Sequence, residues 1–183
     1  MRHFLRLCRC RSGSAAVETV LATPIMLALL FGSVELGNYF YNEHILVKAV
    51  RDGARYAARQ DFSSFNGCNG TAATVPTPGT SGSVYENTKT IVRKGSLNSL
   101  DNDLLNNWDS ASLQFDVQMT CSTTAGTTTL GGIYNGNNTG TSGVAPVVIV
   151  TVRIPYTPVV SGFGFNGFGL TLNATQQAAV MGI

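Results

Sequence analysis

The feature that most constrains this chain is a run of sixteen uncharged, mostly apolar residues, 19–34, closed by a carboxylate at each end, Glu18 and Glu35. Counted outward through Ala15 and Leu36, the segment reaches the ~20 residues that an α-helix needs to cross a bilayer. At ~1.5 Å per residue the two glutamates lie roughly 25 Å apart along a helix, near opposite faces of a hydrocarbon core ~30 Å thick. Glu35 is expected to reach the outer interface by snorkelling, whereas Glu18 lies inside the apolar segment near its start. A charge held in hydrocarbon costs at least ~2.5–3.5 kcal/mol, so Glu18 calls for a partner. Pro24 is tolerable in a membrane helix, where it loosens one turn.

The charge around this run is segregated. Arg2, Arg6, Arg9 and Arg11 fall within the first thirteen residues with no acid among them. The remaining eight basic residues face all ten acidic ones, so the body of the chain is mildly acidic. A basic tip beside an apolar run is a topology signal, because basic flanks stay on the cytoplasmic side.

Three fates fit residues 1–40. The first is a secretory signal peptide removed whole, although no A-x-A-like site follows the run. The second is an uncut signal anchor. The third is a leader cut after Gly13, which makes Ser14 the new N-terminus and Glu18 the fifth residue. Only the third gives Glu18 a cationic partner, the N-terminal ammonium of a staggered neighbouring helix.

The residues Arg11-Ser-Gly13-Ser-Ala-Ala-Val-Glu18, the apolar run, and Gly32-Ser-Val-Glu35-Leu-Gly37 together resemble the start of TadE-like pseudopilins of the tight-adherence (Flp) pilus system. Lys48-Ala-Val-Arg51-Asp-Gly53-Ala-Arg-Tyr-Ala57-Ala-Arg59 resembles the Ala- and Arg-rich helix that follows in that family. The resemblance covers residues 9–60 and implies a minor pilin that acts structurally in pilus assembly, in adhesion and surface colonisation. It implies cleavage between Gly13 and Ser14 by a dedicated prepilin peptidase, and assembly with other pilins through the N-terminal helix, with Glu18 and Glu35 in that role. It places the chain in a bacterial inner membrane as a single-pass protein, N-terminus cytoplasmic, C-terminal domain periplasmic or carried into the pilus.

The expected fold is α+β and pilin-like, a long N-terminal helix packed on a small antiparallel sheet. The expected parts are a leader over 1–13, a transmembrane segment over 14–37, an amphipathic continuation over 38–60, and an exported globular domain over 61–183. In the continuation, Tyr39, Leu46, Val50, Gly53 and Tyr56 or Ala57 recur at helical spacing. Ala49, Gly53 and Ala57 form a ladder of small residues that admits a close neighbour. Arg51, Arg55 and Arg59 share one face and read as a solvated one. His44 has no second metal ligand four residues on, where Lys48 stands.

Residues 61–82 read as a linker from their Gly, Pro, Ser and Thr. A helix is expected from Val84, with Ser83 and Glu86 as a capping box, Val84, Thr88, Ile91 and Val92 as its apolar side, and Gly95 as a stop. Asp101-Asn-Asp103 begins like a calcium loop but lacks the third acid and the glycine, so turn or capping roles are expected. Leu113, Phe115, Val117 and Met119 alternate with polar residues, a half-buried strand. Residues 147–156 are apolar on both faces for most of their length, a central strand, and 170–180 return as a third. A polar loop over 122–143 and a Gly/Phe loop with Phe163, Phe165 and Phe168 connect them. The three phenylalanines either form a partner patch or tuck under the sheet.

Cys68 and Cys121 are an even pair in the exported part and are expected to form a disulfide, worth about 4 kcal/mol for a loop of roughly fifty residues. Charged residues are only 12% of the chain, which argues against a nucleic-acid partner and against most catalytic clefts. The sequence has no G-x-S-x-G, H-E-x-x-H, P-loop or strand-linked G-x-G-x-x-G. The reading is therefore of a non-enzyme with no cofactor, no metal and no small-molecule substrate. The alternative is a membrane-anchored periplasmic or surface binding module of adhesin type.

Overall fold

The computed structural model describes residues 12–61, 73–74, 83–123, 144–160 and 169–181. The leader residues 1–11, Cys68, Phe163, Phe165 and Phe168 lie outside them. Helix α1 runs Ser12–Ala58, then β1 Ala73–Thr74, helix α2 Val84–Lys94, and strands β2 Gln114–Thr123, β3 Val144–Pro155 and β4 Thr171–Ala179. The strands form one antiparallel sheet in the order β1-β2-β3-β4. The three long strands are those expected. β1, two residues paired with Met119 and Gln118, arises in the stretch read as a linker. The described residues divide into two compact units: α1 up to Phe40 with residues 158–160, and the rest.

In the first unit α1 continues through Pro24 without a break. Three of its hydroxyls bond within the helix. Thr19 Oγ1 donates to the Ala15 carbonyl at 2.8 Å, Thr23 Oγ1 to that of Thr19 at 2.6 Å, and Ser33 Oγ to that of Leu30 at 2.8 Å. The large apolar side chains of this stretch are exposed on every side of the helix, among them Val20, Leu21, Ile25, Met26, Leu29 and Val34.

In the second unit the pattern along α1 changes to one buried stripe, Leu46, Ala49, Val50, Gly53, Ala54 and Ala57, with Arg51, Arg55 and Arg59 exposed. Gly53 marks the closest approach. A Cβ built there would lie 2.4 Å from Val92 Cγ2 and 3.4 Å from Thr88 Cγ2 of α2, so the ladder of small residues receives a helix. α2 buries the four residues its spacing picks out, Val84, Thr88, Ile91 and Val92. Ser83 Oγ accepts from the Glu86 amide at 3.2 Å, and Gly95 closes the helix in the left-handed region at φ 77 with its N–H on the Ile91 carbonyl. From β3, Val148, Val150, Val152 and Ile154 are fully buried. Val117 and Met119 of β2 and Leu172 and Ala174 of β4 are buried with them. Asn87 Nδ2 donates to the Tyr56 hydroxyl at 3.0 Å, and the Tyr85 hydroxyl donates to the Phe115 carbonyl at 3.1 Å. Burial first, then the nearby Glu86 and Asp116 carboxylates, pushes the Tyr85 phenol above its ordinary value, which keeps it a donor.

The chain after α2 is pinned by Arg93, whose guanidinium grips Asp103 with two bonds of 2.6 and 2.7 Å. Asp101 instead accepts from Ser96 Oγ and, at 3.1 Å, from Asn98 Nδ2. Both carboxylates of the calcium-like segment are thus engaged with side chains of the turn and of α2.

Two predictions follow from this packing. Gly53→Ala should destabilise the full chain in detergent, because an overpacking cost of ~1–3 kcal/mol opposes a helix-propensity gain of at most ~1 kcal/mol. Gly37→Ala, where a Cβ meets nothing within 4 Å, should be neutral or slightly stabilising in the same denaturation series. The second concerns pH. The hydrogen bonds from Arg93 hold the Asp103 carboxyl below its ordinary value. Its contribution is therefore present above the unfolded carboxylate range and is lost as pH falls through the lower folded value. Asp103→Asn should flatten that acid limb of the stability curve by about 0.5–1 kcal/mol, since the pair is partly in water.

Candidate functional site: the N-terminal helix and its two carboxylates

The residues expected to carry processing and assembly all lie on the first part of α1. Helix geometry starts at Ser12, so the Gly13–Ser14 peptide falls in the opening turn, where the first N–H groups lack intrahelical acceptors. Gly13 is exposed, and a Cβ there would meet nothing within 4 Å. Substitution at Gly13 is therefore silent for packing, and any effect on cleavage arises at a protease. Glu18 is exposed, one turn beyond Ser14 on the same side of the helix.

Glu35 is different. It is 3% exposed although most of the apolar run before it is exposed. Its carboxylate is met by backbone amides of the chain. It receives the Val159 amide at 3.2 Å on Oε1 and 3.1 Å on Oε2, and the Val160 amide at 2.9 Å on Oε2. Two consecutive backbone N–H groups facing one carboxylate form a small anion receptor. The physical reason is local. Pro158 fixes the entry to this turn and has no N–H of its own, so the next two amides are the donors available to an anion. The two sequence-predicted carboxylates are therefore not brought together, and they stand in unlike surroundings.

Sequence reasoning missed Val159 and Val160, because a backbone N–H carries no signature in its side chain. It also did not find Asn107, which adopts a positive φ of 72 and donates from Nδ2 to the Pro155 carbonyl at 3.0 Å and to Thr157 Oγ1. Asn is among the few residues that tolerate this conformation. Cys121 lies on β2 opposite Pro146 in the register. Among the described residues no three His, Cys, Asp or Glu side chains gather at metal-binding distance.

Glu35→Ala should leave the Val159 and Val160 amides without their acceptor. A hydrogen bond to a charged group is worth about 1.5–3 kcal/mol, so amide exchange at these two positions should rise roughly ten- to hundredfold. Glu35→Gln, which keeps one acceptor oxygen, should fall between. Unchanged exchange in Glu35→Ala would remove the receptor role.

No curated protein and no solved structure matches this chain. Among the described residues α1 is the one helix long and apolar enough to cross a membrane, which is compatible with a single-pass membrane protein. The stretch that holds Gly13, Glu18, Glu35 and Gly53, residues 13–55, matches the family model of TadE-like proteins, so over its N-terminal helix this chain is similar to them.

Proposed function

We propose that the chain is a minor pilin or pseudopilin, a structural subunit for assembly of a tight-adherence pilus. One observation carries the reading furthest. The first part of α1 exposes large apolar side chains all round, with the Thr19, Thr23 and Ser33 hydroxyls bonded inside the helix, while residues from Leu46 onward pack a stripe of the same helix into a core. Such a helix needs an apolar surrounding, either a bilayer or the helices of other pilins. The TadE-like match over 13–55 supports the pilus system as the setting. A family of this structural kind supports a non-enzymatic role.

In this reading the arginine-rich tip stays in the cytoplasm and the residues after α1 are periplasmic. A prepilin peptidase cuts after Gly13. The new Ser14 ammonium then lies at a helix N-terminus, where Glu18 is electrostatically favoured. When a subunit joins a bundle, the Glu18 carboxylate meets a neighbour's Ser14 ammonium at low dielectric. Both charges already bear a desolvation cost, so pairing relieves a penalty and selects one axial register. Pairing of Cys68 with Cys121 belongs to the same reading, since it requires an oxidising compartment. The alternative, a membrane-anchored binding module, draws on the polar outer face of the sheet, where Gln114, Asp116, Thr151, Arg153, Asn173 and Thr175 line a shallow concavity.

N-terminal sequencing of the protein from membranes of its native host should find Ser14 first. Gly13→Leu should abolish that cut while leaving the fold intact. Glu18→Ala should keep membrane insertion and most cleavage but lose pilus formation and co-isolation with other pilins. Retention of Met1–Gly13 in the native protein, or normal pili from Glu18→Ala, would sink the pilin assignment and the register role respectively.

A further inference from the structure

Glu35 offers an inference beyond the assembly role given to it above. A bilayer core ~30 Å thick spans about 20 helical residues, so a helix entering at Glu18 emerges near Asn38. Glu35 then lies inside the outer edge of the hydrocarbon, where a bare carboxylate is costly. Its oxygens are covered by the Val159 and Val160 amides, and the glutamate is buried. The cover comes from a turn that suits this depth. Between Ile154 and Leu170 the sequence has no charged residue. Val159 itself is 64% exposed, in the same compact unit as the exposed Val34, Leu36 and Phe40 of α1. The apolar surface of the membrane helix therefore continues past Glu35 onto this turn.

We propose that residues 158–160 lie in the outer boundary of the bilayer, held there by the Glu35 carboxylate, with the Val159 side chain in lipid. The occupant of this surface is the lipid of the membrane that α1 crosses. The argument for lipid is continuity. Exposed apolar side chains call for a bilayer along 19–34, Leu36, Phe40 and Val159 of the same compact unit are exposed as well, and the intervening carboxylate is the one whose charge is masked by backbone. The proposal rests on α1 being a membrane span. Glu35 acts as a positioning residue, fixing a turn of the exported chain at a set depth.

The test uses the full chain in vesicles of phosphatidylcholine and phosphatidylglycerol, with bromine on the acyl chains either near the headgroup or at the bilayer centre. Val159→Trp and, separately, Leu27→Trp report depth by quenching, with the signal of the parent's single tryptophan, Trp108, subtracted. Leu27→Trp should be quenched most by bromine at the centre. Val159→Trp should be roughly halved by bromine near the headgroup and little affected by bromine at the centre. Adding Glu35→Ala should restore most of the Val159→Trp signal while Leu27→Trp remains quenched, which shows that insertion survives the substitution. Unquenched Val159→Trp beside quenched Leu27→Trp overturns the lipid contact, whether the site is then in water or against another protein. Quenching of Val159→Trp that Glu35→Ala does not change overturns the role of Glu35. Unquenched Leu27→Trp overturns the membrane span itself, and the proposal with it.

Discussion

Along α1 the solvent that the helix requires changes within about two turns. Up to Phe40 most of its large apolar side chains stand exposed, on all sides. From Leu46 only one stripe is apolar and buried, and three arginines occupy the opposite surface. A helix of the first kind is stable where its surroundings are apolar, and one of the second kind where a core meets water. Because the backbone is continuous, each part limits where the other can be. The sheet and α2 are consequences of the second requirement. They supply the apolar surface that Leu46, Val50 and Ala57 lack, and Gly53 lets Val92 come close enough to exclude water.

The two glutamates show how one residue type is put to different uses by what lies around it. Both end the same apolar run, and both are costly in hydrocarbon. Glu35 is answered within the chain, by amides 124 and 125 residues away. That answer is geometric, because donors fixed in a backbone turn cannot follow the carboxylate if it moves. Glu18 sits exposed near the helix start, and on the proposed reading its partner comes from a neighbouring subunit. A charge satisfied internally positions a segment, whereas a charge answered by a neighbour specifies register. The second is the use for which buried polar groups are best attested.

Local signals in the sequence were legible where one interaction dominated. Ser83 and Gly95 bracket α2 because capping depends on a side-chain oxygen and on freedom at positive φ, both properties of single residues. The period-two alternation through Phe115, Val117 and Met119, and the two-sided run of β3, gave the strands and the central position of β3 because burial follows the pleat. Two things stayed hidden. β1 is held by pairing with Met119 and Gln118 and has too few residues for any period. The cover on Glu35 comes from main-chain donors across a sequence separation that no local pattern encodes. The Arg93–Asp103 pair was hidden for a related reason. Its two residues are ordinary surface charges until the turn after α2 places them ten apart in sequence and 2.6 Å apart in space.

The site residues divide along the same line. Gly13, Ser14 and Glu18 were found from chemistry that a sequence displays: a basic tip, a small residue before a possible cut, and an acid at fixed spacing. On the proposed reading their contribution lies in contacts with other molecules, and Gly13 and Glu18 stand exposed on the folded chain. Glu35 was found by the same spacing, yet its contacts lie within the chain, and folding alone reveals them. The TadE-like match ends at Arg55, well before the turn that covers Glu35. The carboxylate thus belongs to the part of the chain similar to that family, while its amide donors come from a part to which the match does not extend. A glutamate at this place needs only two adjacent N–H groups to be satisfied, and any turn can supply them. The requirement on the exported part is therefore one of backbone placement, which leaves its side chains free to differ.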